Sequence, residues 1–160
     1  GWLKDGLANL GAAGMGVLPT AWQLAGLGDL NGDGKADAVW RNTDGTIYNW
    51  LLDGTNLAGQ GGWAAAGAAW AVAAVQDFTN DQKADLLFRN TGDGSLALWT
   101  MDGVNATAYA VMASPGAEWA YRGAGDFNAD GRADVLWQNT TSGQAYVWLM
   151  NGAAIAGQGA

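Results

Sequence analysis

Gly28-Asp29-Leu30-Asn31-Gly32-Asp33-Gly34-Lys35-Ala36-Asp37-Ala38-Val39-Trp40 is the stretch that decides the fold, because the chain returns to it. Gly125-Asp126-Phe127-Asn128-Ala129-Asp130-Gly131-Arg132-Ala133-Asp134-Val135-Leu136-Trp137 repeats it nearly residue for residue. An altered copy lies between them, running from Asp77-Phe78-Thr79-Asn80-Asp81 through Gln82-Lys83-Ala84-Asp85 to Phe88. Each copy is an acidic loop of nine residues that runs into a short apolar segment.

The repetition extends well beyond the loops. Trp22, Trp70 and Trp119 are spaced by 48 and 49 residues, as are Trp40, Phe88 and Trp137, and Asn42, Asn90 and Asn139. Trp2, Trp50, Trp99 and Trp148 follow at 48, 49 and 49. The odd residue sits in one turn, where Thr43-Asp44-Gly45 is one shorter than Thr91-Gly92-Asp93-Gly94 or Thr140-Thr141-Ser142-Gly143. A length change confined to a turn is what a strand-based repeat tolerates.

Each unit predicts four short strands. In the first unit they are Trp22 to Leu27, Ala38 to Asn42, Thr46 to Leu52 and a glycine-rich Asn56 to Trp63. The Asp44-Gly45 and Asp53-Gly54 turns join the later strands as hairpins. The third strand is apolar on both faces, Tyr48, Trp50 and Leu52 on one and Ile47 and Leu51 on the other, as in a sheet covered on both sides. No helix-length window escapes a glycine-containing turn. The expected fold is therefore all-β: tandem four-stranded antiparallel blades of propeller type, stacked face to face, with the acidic loop between the first and second strands. The divisions are a partial blade over 1–21, made of late strands, and blades over 22–69, 70–118 and 119–160.

The loops carry the chemistry. Asp29, Asn31, Asp33 and Asp37 supply oxygens at positions 1, 3, 5 and 9, Gly34 permits a bend at position 6, and Lys35 offers its backbone carbonyl at position 7. Hard oxygens directed inward around a tight turn form the ligand rhythm of a calcium loop. Asp126, Asn128, Asp130, the Arg132 carbonyl and Asp134 repeat it. The middle copy keeps Asp77, Asp81, the Lys83 carbonyl and Asp85, but has Thr79 at position 3 and Gln82 in place of glycine, so weaker or absent binding is expected there. Position 12 is Trp40, Phe88 or Trp137 rather than a bidentate Glu, and a strand leaves the loop, so this is not an EF-hand. Without that Glu, affinity of roughly 0.1–1 mM is expected, as in extracellular modules. Magnesium suits such a loop less well, because it favours hydrated octahedral sites.

These residues resemble the FG-GAP/VCBS-type repeat, and the resemblance spans nearly the whole chain. It implies the calcium-binding propellers of integrin α-subunits, many secreted bacterial proteins and some fungal lectins. It implies calcium ligation by Asp29, Asn31, Asp33 and Asp37, and by Asp126, Asn128, Asp130 and Asp134. It leaves activity open, since such propellers serve as adhesins, lectins and accessory domains of polysaccharide-degrading enzymes.

Composition narrows the remainder. The 160 residues include no Cys and no His, which removes disulfides, the usual zinc ligand sets and His-based nucleophilic catalysis. Fifteen acidic against seven basic residues give a charge of −8, a poor match for nucleic acid or anionic lipid. Nine of the fifteen lie in the three loops, so the acidity reads as ligand charge for a metal. The chain opens Gly1-Trp2-Leu3-Lys4 and reads as a mature or excised product. Its longest near-apolar stretch, Gly61 to Val75, is 15 residues, short of the ~20 that span a bilayer. The expected location is extracellular or at a cell surface, of bacterial type.

Three blades and a part do not close a propeller, which takes about four to eight. The chain is expected to be a piece of a longer one, to share a ring with other chains, or to form an open assembly. The leading function is a non-catalytic calcium-dependent module for adhesion or glycan binding, with a glycan or cell-surface protein as partner. The alternatives are a structural subunit of a self-assembling extracellular polymer or surface layer, or an accessory domain of a polysaccharide-degrading enzyme. Once the loops are assigned, Glu118 and a few turn aspartates form no unique carboxylate pair for glycoside hydrolysis. Trp22, Trp40, Trp50 and their copies are expected in the blade cores, and Trp63 is the better surface candidate. Arg41 and Arg89, with Asn42, Asn90 and Asn139, are expected to pair with acidic loops or cap hairpins rather than line a site.

Overall fold

The computed structural model describes residues 2–5, 8–12, 14–62, 66–112 and 114–160, with side chains described from residue 14 onward. A two-stranded antiparallel sheet comes first, β1 (Trp2–Asp5) with β2 (Ala8–Ala12). Three four-stranded sheets follow. Blade 1 is β3 (Trp22–Gly28), β4 (Asp37–Asn42), β5 (Ile47–Asp53) and β6 (Asn56–Gly62). Blade 2 is β7 (Trp70–Gln76), β8 (Asp85–Asn90), β9 (Leu96–Asp102) and β10 (Asn105–Met112). Blade 3 is β11 (Trp119–Gly125), β12 (Asp134–Asn139), β13 (Ala145–Asn151) and β14 (Ala154–Gly159). Each is an antiparallel meander with its strands in chain order. The three sheets are separate and do not close into a barrel, and no helix occurs among the described residues.

The all-β expectation holds, and the second strand of each blade begins one residue earlier than the pattern indicated. Asp37 pairs with Gly28, Asp85 with Gln76 and Asp134 with Gly125, so the last loop carboxylate is already in the ladder. The hairpin between the second and third strands turns on Gly45, Gly94 and Gly143, whose φ values of 91°, 75° and 77° suit a residue without Cβ. In blades 2 and 3 the asparagine before the turn caps it. Asn90 Oδ1 accepts from Gly92 N (2.8 Å), and Asn139 Oδ1 from Thr141 N and Ser142 N (both 2.9 Å).

Alternation along the third strand produces the two apolar faces. Trp40, Trp50 and Leu52 lie on one face of blade 1, and Phe88, Trp99 and Met101 hold these positions in blade 2, as Trp137, Trp148 and Met150 do in blade 3. On the opposite face, Val39, Ile47 and Leu30 of blade 1 pack against Val75, Leu86, Phe88 and Met101 of blade 2. Phe78, Leu87, Leu96 and Leu98 of blade 2 pack in the same way against Val135, Trp137, Trp148 and Met150 of blade 3. Trp50, Trp137 and Trp148 are buried, whereas Trp22, Trp40, Trp70, Trp99 and Trp119 are half-buried. The rings pair within each blade: Trp40 with Trp50 at 5.2 Å between centroids, Phe88 with Trp99 at 4.7 Å, Trp137 with Trp148 at 5.0 Å. Trp63 and the side chain of Trp2 lie outside the described residues.

Arg41 does not pair with an acidic loop; its Nη1 reaches Asn42 O at the hairpin (3.4 Å), and its stronger bonds cross to the next blade. Its Nε donates to Trp70 O and its Nη2 to Ala68 O (both 3.0 Å), fastening blade 1 to the start of blade 2 rather than to an acidic loop. Glycines allow the same two blades to approach closely. A Cβ built on Gly28 would stand 2.7 Å from Val75 Cγ1 and 2.8 Å from Ala84 Cβ.

Candidate metal centre: the acidic loops

The three loops share one backbone path. Positions 4 and 6 lie at positive φ in each copy: Gly32 (77°) and Gly34 (80°), Asn80 (64°) and Gln82 (68°), Ala129 (62°) and Gly131 (85°). Alternating handedness points successive N–H groups toward one spot, making a concave nest. The position-1 carboxylate fills it. Asp29 Oδ1 accepts from Gly32 N (2.7 Å) and Asp33 N (3.1 Å), and its Oδ2 from Gly34 N (2.6 Å). Asp77 repeats this with Asn80 N (2.6 Å) and Gln82 N (2.7 Å), and Asp126 with Gly131 N (2.9 Å). The Gly131 amide is the chief reason the Asp126 carboxyl lies below its usual range. Gln82 therefore makes the bend expected of glycine, in a conformation that is strained for a side-chain-bearing residue.

Positions 3 and 5 stand on the rim. Asn31 Oδ1 accepts from Asp33 N and Asn128 Oδ1 from Asp130 N (both 3.0 Å), while the Thr79 hydroxyl turns back toward Asp77 Oδ1 (3.4 Å). Asp33, Asp81 and Asp130 are exposed and accept from the N–H groups of Lys35 (2.9 Å), Lys83 (3.0 Å) and Arg132 (2.8 Å). The Lys35 amide is the first cause holding the Asp33 carboxyl low. The position-7 carbonyls of Lys35, Lys83 and Arg132 accept no hydrogen bond among the described residues. Lys35 Nζ lies 3.3 Å from Asp33 on the rim and 3.4 Å from Asp53 in the adjoining turn, while Lys83 Nζ lies 2.7 Å from Asp102 in the turn of its own blade.

Position 9 has a second duty that spacing did not reveal. Asp37, Asp85 and Asp134 are fully buried, and each bridges two backbone amides. Asp37 accepts from Leu30 N (2.9 Å) and Leu52 N (2.8 Å), Asp85 from Phe78 N and Met101 N (both 3.0 Å), and Asp134 from Phe127 N (2.9 Å) and Met150 N (2.8 Å). One carboxylate thus ties the loop's second residue to the end of the third strand. Burial pushes the Asp37 carboxyl up despite these bonds, with the charges of Asp33 and Asp29 adding to the effect. Asp85 is pushed up to about 6 for the same reasons, with Asp81 and Asp77 as the neighbouring charges.

The donor set therefore suits a hard divalent cation: oxygen only, three carboxylates and an unused carbonyl per loop, with like charges felt at the buried Asp37 and Asp85. Among the described residues no three carboxylates are drawn into a ready-made cluster. The rim carboxylates are engaged by neighbouring amides, and Asp33 by Lys35 as well, rather than pointed together.

An aromatic groove of about 440 Å³ opens on blade 2, lined by Trp70, Phe88, Trp99, Thr107 and Tyr109 among others. Its counterpart of about 360 Å³ on blade 1 is lined by Trp22, Tyr48, Trp50 and Leu57, with Met15 and Leu18 from the preceding segment. Tyr109 is 73% exposed, a surface aromatic that the repeat pattern did not mark, because Gln60 holds the matching place in blade 1. Glu118 is exposed and takes part in the fold through its backbone carbonyl, which accepts from Thr140 N (2.7 Å).

No curated protein and no solved structure matches the chain. The FG-GAP-like repeat model matches twice in overlapping register, over residues 29–88 and 77–137, each match starting at a position-1 aspartate and ending at the aromatic of a second strand. With the loops, the blades and these matches in agreement over more than half of its length, the chain belongs to the FG-GAP-like repeat family.

Proposed function

We propose that this chain is a non-catalytic calcium-binding repeat module of a secreted or cell-surface protein, serving adhesion or glycan binding. The observation that carries the metal reading is the threefold recurrence of one loop geometry. In each copy amides orient the carboxylates at positions 1 and 9, the carbonyl at position 7 stays unused, and a carboxylate at position 5 waits on the rim. Asp29, Asn31, Asp33, the Lys35 carbonyl and Asp37 would hold one ion, and Asp126, Asn128, Asp130, the Arg132 carbonyl and Asp134 another. Asp77, Thr79, Asp81, the Lys83 carbonyl and Asp85 form a weaker third set, since a hydroxyl replaces the amide oxygen at position 3. A bound Ca²⁺ supplies the positive charge that lets three carboxylates share one loop. The residues themselves fix the loop, and the first two loops are each fastened to the following blade, because Asp29 O accepts from Ala84 N and Asp77 O from Ala133 N (both 2.6 Å).

Millimolar calcium is expected to raise the melting temperature, and Asp33→Asn with Asp130→Asn to cut that rise to the small remainder the middle loop supplies, while leaving the EDTA-treated protein's melting unchanged. Identical melting in calcium and EDTA would refute the reading. The groove of Trp70, Trp99 and Tyr109 presents the aromatic faces that stack on sugar rings, and it carries the glycan part of the proposal. Binding on a glycan array, lost with Tyr109→Ala, is the expected outcome. An array blank in calcium and in EDTA alike removes glycans from the account.

A further inference from the structure

The residue before the hairpin asparagine meets a different fate in each blade. Arg41 is anchored across its junction by the carbonyls of Trp70 and Ala68 (both 3.0 Å). Gln138 is held within blade 3, where Oε1 accepts from Arg122 Nε (3.0 Å) and Nε2 donates to Gly143 O (3.2 Å). Arg89 makes neither a hydrogen bond nor an ion pair among the described residues, although its Nε is buried. It pairs with no acidic loop and caps no hairpin. Lys35, Lys83, Arg122 and Arg132 all have a carboxylate or side-chain amide partner. A cation taken out of water without an acceptor is unfavourable, so such groups are normally paired.

The longer turn of blade 2 accounts for the difference. In blade 1 the short turn lies directly on the connection to the next blade. Ala66 N donates to Gly45 O (3.2 Å), and a Cβ on Gly45 would stand 2.6 Å from Gly67 O. The same connection brings the Ala68 and Trp70 carbonyls to Arg41. In blade 2 the turn is Thr91-Gly92-Asp93-Gly94, and the matching connection runs from Ser114 to Glu118. The nearest neighbours of a Cβ on Gly94 would be Ser114 Oγ at 3.2 Å and Arg89 Nη2 at 3.5 Å. Two hydrogen-bond donors therefore face the same side of Gly94, which has no side chain to fill the space between them. Ser114 Oγ accepts from Gly116 N (3.2 Å), which leaves its own proton free to donate. The nearby carboxylate of Asp93 is turned away, accepting from Ser95 N (2.9 Å) and Oγ (2.6 Å).

We propose that Arg89 and Ser114 form a binding site for a small oxyanion, the carboxylate or sulfate group of an acidic ligand, beside the connection between blades 2 and 3. Nε and Nη2 lie on one edge of the planar guanidinium and match two oxygens of such a group. The Ser114 hydroxyl supplies a third donor. The corresponding place in blade 1 has no such capacity, because the Arg41 fork is already taken by carbonyls. The site involves neither the acidic loops nor the aromatic groove, so it stands or falls apart from the calcium and groove readings.

Nuclear magnetic resonance in EDTA tests it, on the Nε–H signal of Arg89, identified by its loss in Arg89→Gln. The probes are acetate, glucuronate, inorganic sulfate and neutral glucose at constant ionic strength. The anions are expected to shift this signal saturably and glucose to leave it in place, with the Arg41 Nε–H signal unmoved. Equal affinity for acetate and glucuronate would assign the site to the bare group, and tighter glucuronate to an acidic sugar. Arg89→Gln installs the residue that blade 3 carries at this position, so the fold should tolerate it. Read on the Gly94 and Gly116 amides, it should weaken binding by roughly tenfold or more, and Ser114→Ala should weaken it less. The absence of a saturable shift with every anion overturns the proposal, as does binding indifferent to either substitution. So does an Arg89 signal displaced by Glu118→Gln before any probe is added, which would show the guanidinium paired with a carboxylate of its own chain.

Discussion

Gln82 holds a left-handed backbone, φ 68°, at the position where the other two loops have Gly34 and Gly131. Such a conformation costs a side-chain-bearing residue about 1–2 kcal/mol. The amide of Gln82 still reaches Asp77 Oδ2 at 2.7 Å, so the loop has kept its shape at the expense of local strain. Gln82→Gly should stabilise the protein by about 0.5–1 kcal/mol, the strain relieved less the chain entropy that glycine adds to the unfolded state. Chemical denaturation measures it, and a loss of stability would show that the side chain contributes something not apparent in its contacts. Tyr121 makes a second residue-scale case. Its hydroxyl donates to Ala73 O at 3.1 Å, joining blade 3 to blade 2, and burial pushes it up to about 12. A tyrosine raised in the folded state contributes stability that is complete below its ordinary value near 10 and is lost as pH rises through the folded one. Stability should therefore fall between about pH 10 and 12, and the fall should be shallower in Tyr121→Phe.

At the scale of the element, the buried aspartate of each loop acts as a structural tie. Asp85→Ala would leave the amides of Phe78 and Met101 buried without acceptors, at a cost of about 2 kcal/mol after the relief of burying a carboxylate. Measured in EDTA, that loss is independent of any metal; an unchanged stability would show that the tie is dispensable. The first strand of blade 1, β3, depends on its glycines. Gly28→Ala should cost about 1–3 kcal/mol by forcing a methyl onto Val75 and Ala84, while the equivalent Gly125→Ala should be nearly silent, having nothing within 4 Å. Equal effects from the two would mean that the blades yield freely. These elements also show what a sequence can reveal. Each strand was legible because Trp40, Tyr48 and Trp50 alternate against Asp-Gly turns, signals contained within a few residues. The tie from Asp37 to Leu52 was not legible, since it joins residues brought together only by the hairpin. Gly28 reads locally as a weak strand former, and its purpose is supplied by Val75 in another blade. Arg41 misled for the same reason: its acceptors, the carbonyls of Ala68 and Trp70, have no sequence signature at all.

Across the whole molecule, three nearly identical sheets stack by one repeated junction, and each junction begins at the first two residues of an acidic loop. Leu30 and Phe78 are buried there, and the carbonyls of Asp29 and Asp77 are hydrogen-bonded across it. A cation in the loop would therefore stiffen the seam between blades as well as the loop itself. The family membership accounts for the architecture, and the oxygen-only loops account for the acidity, nine of fifteen acidic residues falling within them. Three bound Ca²⁺ would carry the formal charge from −8 to −2, and two would carry it to −4. The central claim is thus a count of ions. Native mass spectrometry of the chelator-stripped chain, titrated with calcium and in parallel with magnesium, reads that count directly. Two to three calcium ions per chain, with magnesium binding less, is the predicted result; a chain that takes up no calcium at millimolar concentration would contradict the account.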